Sequence, residues 1–193
     1  HEARGIMTLL SYEETGLDVT FQRDRNVSAF CQDAGIDWQE FQTNGIQRKR
    51  KDRKGWNRSW HKVMSSACLD VNLTALKTMA LSEHETLQSL RTKRFEKWHQ
   101  KRSEMQVGGP TEASRALNSF LDDRGWGYQK FISKPEKSRE HCSRLSPYLA
   151  WGNLSMREAY QALQQQEKRR GWTRSMSAFE SRLHWHCHFI QKF

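Results

Sequence analysis

The sequence predicts an α+β protein that is mainly α: the closing edge of an α/β unit, then a series of helices. Three observations carry that prediction. An apolar run, a helix-length segment and a second apolar run succeed one another before residue 43, the order of a strand–helix–strand unit. Past residue 62 the apolar residues recur at helical rather than strand spacing. Between the two lies residues 47–62, a basic tract unlike either.

The elements follow in order. Residues 6–11, bounded by the turn Glu13-Glu14-Thr15-Gly16, read as a buried strand. Asp24 is placed to cap a helix carrying Val27, Phe30, Cys31 and Ala34 on one face, and Gly35 to end it. Residues 36–42, with Ile36, Trp38, Glu40 and Phe41, read as a second strand. The tract 47–62 reads as a solvated linker or loop. Ser82 and Glu85 form a capping box ahead of Leu87, Leu90, Phe95 and Trp98. Gly108-Gly109-Pro110 breaks the chain and opens a helix whose face is Ala113, Ala116, Leu117, Phe120 and Leu121. A polar loop is expected from about residue 129 to 146. Ser155 with Glu158 opens a helix through about Gln166, and Ser177 with Glu180 opens the last one. In that last helix Phe179, Leu183, Cys187 and Ile190 form the core stripe. Arg182, Trp185 and Phe189 form a second stripe, which either lines a cavity or is buried against a further element.

Composition narrows the function classes. The chain has 193 residues, with 32 Lys plus Arg against 22 Asp plus Glu, a net charge of +10. No apolar run approaches the roughly 18 residues of a membrane span, so no membrane-spanning protein is expected. Hydrophobic residues are only 36%, but eight Trp, nine Phe and four Tyr supply large buried area per side chain. The basic excess points to an acidic partner, with nucleic acid first and a membrane surface second. Cys31, Cys68, Cys142 and Cys187 are scattered without a CxxC, which reads as reduced thiols in a cytoplasmic or otherwise intracellular protein (nucleoid or nucleus included). No signal peptide is read in the first residues, and both ends read as cut from a longer protein.

Several motifs carry competing readings. The basic run 48–54 can neutralise phosphates, and Trp56 and Trp60 beside it can stack on bases; a solvated linker is the preferred reading. The loop Cys142-Ser143-Arg144-Leu145-Ser146-Pro147-Tyr148 has hydroxyls, a guanidinium and backbone amides suited to phosphate. His184, His186, Cys187 and His188 suggest a metal, but helical geometry turns His186 away from the other two histidines, and no metal site is expected. There is no G-x-S-x-G, no G-x-G-x-x-G and no Walker A sequence.

Tyr128, the stretch Ser143-Arg144-Leu145-Ser146-Pro147-Tyr148-Leu149-Ala150-Trp151-Gly152-Asn153-Leu154-Ser155 and the later Leu183-His184-Trp185 together resemble the photolyase/cryptochrome flavoproteins. Ser11-Tyr12-Glu13-Glu14-Thr15-Gly16, Phe21-Gln22-Arg23-Asp24, Gly55-Trp56 and Gly108-Gly109 fall in the same order as in that family. The resemblance spans almost the whole chain, and its specific part is 143–155.

The resemblance implies three regions: residues 1–46 as the tail of a Rossmann-like α/β antenna domain, 47–107 as a basic interdomain connector, and 108–193 as the first part of a helical FAD-binding domain. It implies FAD held by Tyr128, Cys142, Ser143, Arg144, Leu145 and Ser146, with Arg182, Trp185 and His186 beside it. It implies UV-damaged DNA as partner, a monomer, and Trp185 as the residue that receives the flipped lesion. The activity implied is that of a deoxyribodipyrimidine photolyase, in which reduced flavin gives an electron to the pyrimidine dimer under blue light. The antenna pigment is not implied. A cryptochrome photoreceptor on the same fold is the alternative, and a cofactor-free basic DNA-binding domain a second. Cys142 stands where the family has Thr, His186 where it has Arg, and Arg182 where many repair enzymes have Glu. The later helices that close the family's flavin pocket are absent from this sequence, so the isolated chain is expected to bind FAD poorly and to be inactive.

Overall fold

In the computed structural model, residues 5–77 and 104–192 are described. Strand β1 (Thr8–Tyr12), helix α1 (Asp18–Asp33) and strand β2 (Asp37–Phe41) form a parallel strand–helix–strand unit, with Thr8 opposite Asp37 and Tyr12 opposite Phe41. Asp37 N–H to the Met7 carbonyl (2.9 Å) and Glu13 N–H to the Phe41 carbonyl (3.0 Å) extend the ladder at both ends. The topology is the expected one, but β1 is exposed rather than buried, because the described sheet has only two strands and Leu10 and Tyr12 have no layer over them.

Helix α1 also differs from expectation at its start. It begins at Asp18, with Leu17 in extended conformation at the cap, so Asp24 lies inside the helix and pairs with Arg23 at 2.8 Å. Its end is the expected one: Gly35 takes φ +65°, a left-handed value that suits glycine. Cys31 is buried, whereas Phe30 of the same predicted face is exposed.

The tract 47–62 is not a continuous solvated loop. Helix α2 (Trp56–Ser65) buries Trp56, Trp60 and Met64, which recur every fourth residue and share one face. Gly55 at φ +75° precedes it, and the Trp56 indole donates to the Gly45 carbonyl at 2.9 Å. The charged residues between these anchors mask the stripe in a composition-based reading.

The remaining helices are α3 (Pro110–Ser119), α4 (Tyr128–Phe131), α5 (Pro135–His141), α6 (Ser146–Ala150), α7 (Met156–Gln164) and α8 (Thr173–Lys192). Pro110 sits in the first turn of α3, where its missing N–H costs nothing, and Ala113, Leu117, Phe120 and Leu121 are buried as their spacing predicts. A π-turn, Phe120–Arg124, continues α3. The expected polar loop 129–146 is instead largely α4 and α5: α4 is a single turn and α5 buries no residue, so neither carries an apolar periodicity. The Ser155/Glu158 box is present in both directions, at 3.0 and 2.7 Å. The Ser177/Glu180 box is not, because α8 starts at Thr173 and Ser177 lies within it.

The residues up to Ser66 and from Gly109 onward pack as one compact unit, and Ala67–Gly108 form a second, whose described part holds a 3-10 turn at Leu73–Ala75. The expected capping box Ser82/Glu85 and the apolar residues Leu87, Leu90, Phe95 and Trp98 lie outside the described residues. No described helix is long and apolar enough to cross a membrane.

Candidate functional site

The first unit holds a cavity of about 320 Å³ between α4, the loop 142–146 and α8. Tyr128, Ser143, Leu145, Ser146, Arg182 and His186 line it, over an apolar floor that includes Met156, Phe179 and Leu183. No carboxylate is among its lining residues. The cavity therefore offers hydroxyls, an imidazole and a guanidinium against an apolar wall, a donor set suited to an anion.

Tyr128 opens α4 immediately after Gly127, which takes φ +76°. Its ring meets Phe120 edge-on at 5.2 Å and Phe179 at 6.2 Å, so the phenol is buried and its orientation is set by packing. Burial, the largest cause, pushes its pKa up to about 12; the Cys142 thiol adds to the rise and the Arg182 charge opposes it. At neutral pH the group is a phenol with a proton to donate.

The loop is set by its own backbone. Leu145, fully buried, anchors it. Arg144 takes φ +62°, a left-handed conformation that costs a non-glycine residue about 1 kcal/mol. Leu145 follows at φ −87°, ψ −15°. A left-handed residue followed by a right-handed one turns consecutive amides toward one side, the concavity that receives anions.

Three of the expected residues do not line the cavity. The Cys142 side chain packs against the hydrophobic core, and its burial pushes the thiol pKa up although Arg124, Arg144 and Arg182 pull it down. Arg144 shapes the loop through its backbone. Trp185 stands on the flank of α8, 41% exposed, with the Arg182 guanidinium over its ring and Phe189 edge-on at 5.7 Å. The second stripe of α8 thus splits: Arg182 lines the cavity, while Trp185 and Phe189 face outward. His186 keeps an exposed edge, yet desolvation of its ring lowers its pKa.

Trp56 and Trp60 are buried and cannot stack on bases. Trp60 is packed edge-on against His184 (4.9 Å) and Tyr160 (5.3 Å), and Trp56 lies 4.9 Å from His184. His184 and His188 face these tryptophans whereas His186 lines the cavity, so the three imidazoles diverge.

A larger cavity, about 870 Å³, lies near Trp38, Phe21 and residues 46–53, and so carries most of the basic run. Its arginines already have partners: Arg48 grips Glu40, a residue of the same lining, with both terminal guanidinium nitrogens (3.0 and 2.8 Å), Arg53 meets His188, and Arg50 donates to the Asp52 and Lys54 carbonyls. The smaller cavity, where six of the expected residues converge, is the better candidate site. Sequence reasoning had Phe179 and Leu183 as core but missed Met156 of the floor and also Arg124, which contacts the loop from behind; the π-turn that places Arg124 has no sequence signature.

No protein-family model and no curated protein matches this chain. Among solved structures it is similar to a bacterial class III photolyase from Agrobacterium tumefaciens, at 21% identity and a TM-score of 0.63. The match covers the whole of this chain and 42% of that one. At this identity the likeness speaks to the fold. The chain has the fold of the corresponding part of a photolyase, α+β and mainly α.

Proposed function

We propose that this chain supplies the phosphate-binding part of the flavin site in a light-driven, FAD-dependent DNA repair enzyme of the photolyase type. The observation that carries the reading is the convergence of Tyr128, Ser143, Ser146, Arg182 and His186 on one cavity without a carboxylate. At about 320 Å³ the cavity is at the small end of ligand pockets and suits the phosphate and ribose portion of a dinucleotide. Tyr128 donates its hydroxyl, Ser143 and Ser146 offer hydroxyls, and Arg182 supplies the positive charge. When bound, FAD would supply the light-driven one-electron chemistry that the side chains here lack. The net charge of +10 suits a damaged-DNA partner held through its phosphates. Trp185, half-exposed beside the cavity, is the aromatic face for an extruded base.

One observation favours the second reading, a cryptochrome-like photoreceptor. The Arg182 guanidinium already covers a face of the Trp185 indole, at 4.4 Å from the ring centroid. Two experiments test the proposal. Titration with ADP, the phosphate-bearing half of FAD, should show binding that weakens severalfold in Ser143→Ala and Arg182→Ala; ADP binding that is absent or unaltered by both changes overturns the site. Blue-light reversal of thymine dimers in an oligonucleotide by a flavin-loaded protein carrying this chain separates repair from photoreception.

A further inference from the structure

The loop 142–146 is held from behind by a residue that does not line the cavity. The π-turn Phe120–Arg124 closes with the Gly125 N–H donating to the Phe120 carbonyl at 2.8 Å. Only glycine fits at 125, since a Cβ there would lie 2.5 Å from the Phe120 carbonyl oxygen. The turn delivers the Arg124 side chain to the gap between the end of α3 and the loop. Its guanidinium donates to Ser119 Oγ (2.7 Å), the Ala116 carbonyl (3.0 Å), the Cys142 carbonyl (2.6 Å) and the Ser143 carbonyl (3.4 Å). A planar fork can bridge these acceptors at once; the compact ammonium of a lysine cannot. Burial and the nearby Arg144 charge lower the Arg124 pKa from its ordinary value, so the site bears a desolvation cost to keep a cation there.

The consequence follows from peptide geometry. In a trans peptide the N–H points opposite to the C=O of the same unit, and no described peptide bond is cis. A carbonyl of Cys142 or Ser143 drawn toward Arg124 sends the N–H of Ser143 or Arg144 the other way. Ser143 is a lining residue of the cavity. A cation at the carbonyl end of these two peptides also raises the positive potential at their N–H ends.

We infer that Arg124 is a positioning residue: it holds the Cys142 and Ser143 carbonyls and so turns the Ser143 and Arg144 amides toward an anion in the cavity. The inference rests on the phosphate-site reading proposed above. The test uses the ¹⁵N-labelled 193-residue chain, its Ser143 and Arg144 amide resonances, and inorganic pyrophosphate as the probe. In the wild-type chain pyrophosphate should shift both amides. Arg124→Lys should keep the helical circular dichroism and a cooperative melt, move the free-state resonances of these two amides and not those of α7, and weaken pyrophosphate binding about tenfold. Ethylguanidinium added to Arg124→Ala should recover part of the binding. An Arg124→Lys chain with unshifted amides and wild-type pyrophosphate affinity overturns the inference. If Arg124→Lys does not fold, Ser119→Ala loosens one anchor of the same guanidinium; a shift confined to the 143 and 144 amides supports the inference, and no shift overturns it. A wild-type chain that ignores pyrophosphate brings down the phosphate-site reading alone, because the free-state resonances still decide what Arg124 does.

Discussion

The Arg182 guanidinium lies 4.4 Å from the centroid of the Trp185 ring, one helical turn away on α8. The pair joins the cavity to the outer flank of the helix, since Arg182 lines the cavity and Trp185 does not. A cation over an exposed indole contributes about 0.5–1 kcal/mol. Arg182→Ala is therefore expected to lower unfolding free energy by no more than about 1 kcal/mol in urea, while weakening ADP binding by a larger factor. A stability loss of several kcal/mol would place Arg182 in the core framework rather than at a binding site.

Gly45 is expected to tolerate no side chain. A Cβ at this position would overlap Trp60 Cδ1, and Trp60 is fully buried and cannot retreat. Gly45→Ala should cost about 2–3 kcal/mol by overpacking, seen as a lower urea midpoint with an unchanged slope. Gly152→Ala, where a Cβ meets no atom within 4 Å but φ is +67°, should cost about 1 kcal/mol through backbone strain. Equal losses at both positions would refute the steric account of Gly45.

Stability should fall at alkaline pH through Tyr128. Its pKa is raised from 10.0 to about 12, so the folded state holds its proton where the unfolded state has lost it. The contribution is complete below pH 10 and is lost as pH rises from about 10 to about 12. Two units correspond to about 3 kcal/mol. Tyr128→Phe should flatten the decline measured by denaturant titration over that range, and an unchanged slope would remove Tyr128 as its cause.

At the acidic side His184 acts with the opposite sign. Desolvation, followed by the charges of His188, His61 and Arg53, lowers its pKa below 6.5, so its neutral form is favoured in the folded state. That contribution is present above pH 6.5 and is lost as pH falls through the lowered value. Protonation would set a charge against Trp56 and Trp60, while Asn57 Oδ1 accepts from His184 Nε2 at 3.1 Å in the Nε2–H tautomer and in the charged ring alike. His184→Gln should reduce the acid sensitivity of the melting temperature between pH 7 and 5, the range below the ordinary imidazole value.

The α7 cap is a local feature with a local cost. Ser155→Ala removes the acceptor for the Glu158 N–H and should cost about 1 kcal/mol. Ser177→Ala, at a site with the same sequence signature but inside α8, should cost less. The contrast between the two substitutions isolates capping from helix propensity in thermal melts.

These contrasts also show what was legible in the sequence. The strand–helix–strand order, the α3 face, the α7 capping box and the core stripe of α8 were readable because each depends on neighbours within a few residues. The loop residues Ser143, Leu145 and Ser146, with Tyr128, Arg182 and His186, could be singled out through the resemblance, and they converge on one cavity. The α2 stripe was hidden because its anchors stand among charged residues. The Ser177 box misled because the capping pattern can occur inside a helix as well as at its start. The direction of the Cys142 side chain was not readable, since whether it meets the cavity or the core is decided by packing against residues distant in the chain.

By itself the sequence determined the local periodicities, the breaks at Gly35 and at Gly109-Pro110, and the cationic excess, all properties of short stretches or of composition. Only the tertiary structure decided that Trp56 and Trp60 are core rather than base-stacking surface. It likewise decided that Arg182 faces the cavity while Trp185 faces out. A helix offers several faces, and which one is covered depends on what packs against it; that choice is made by contacts between residues far apart in the chain.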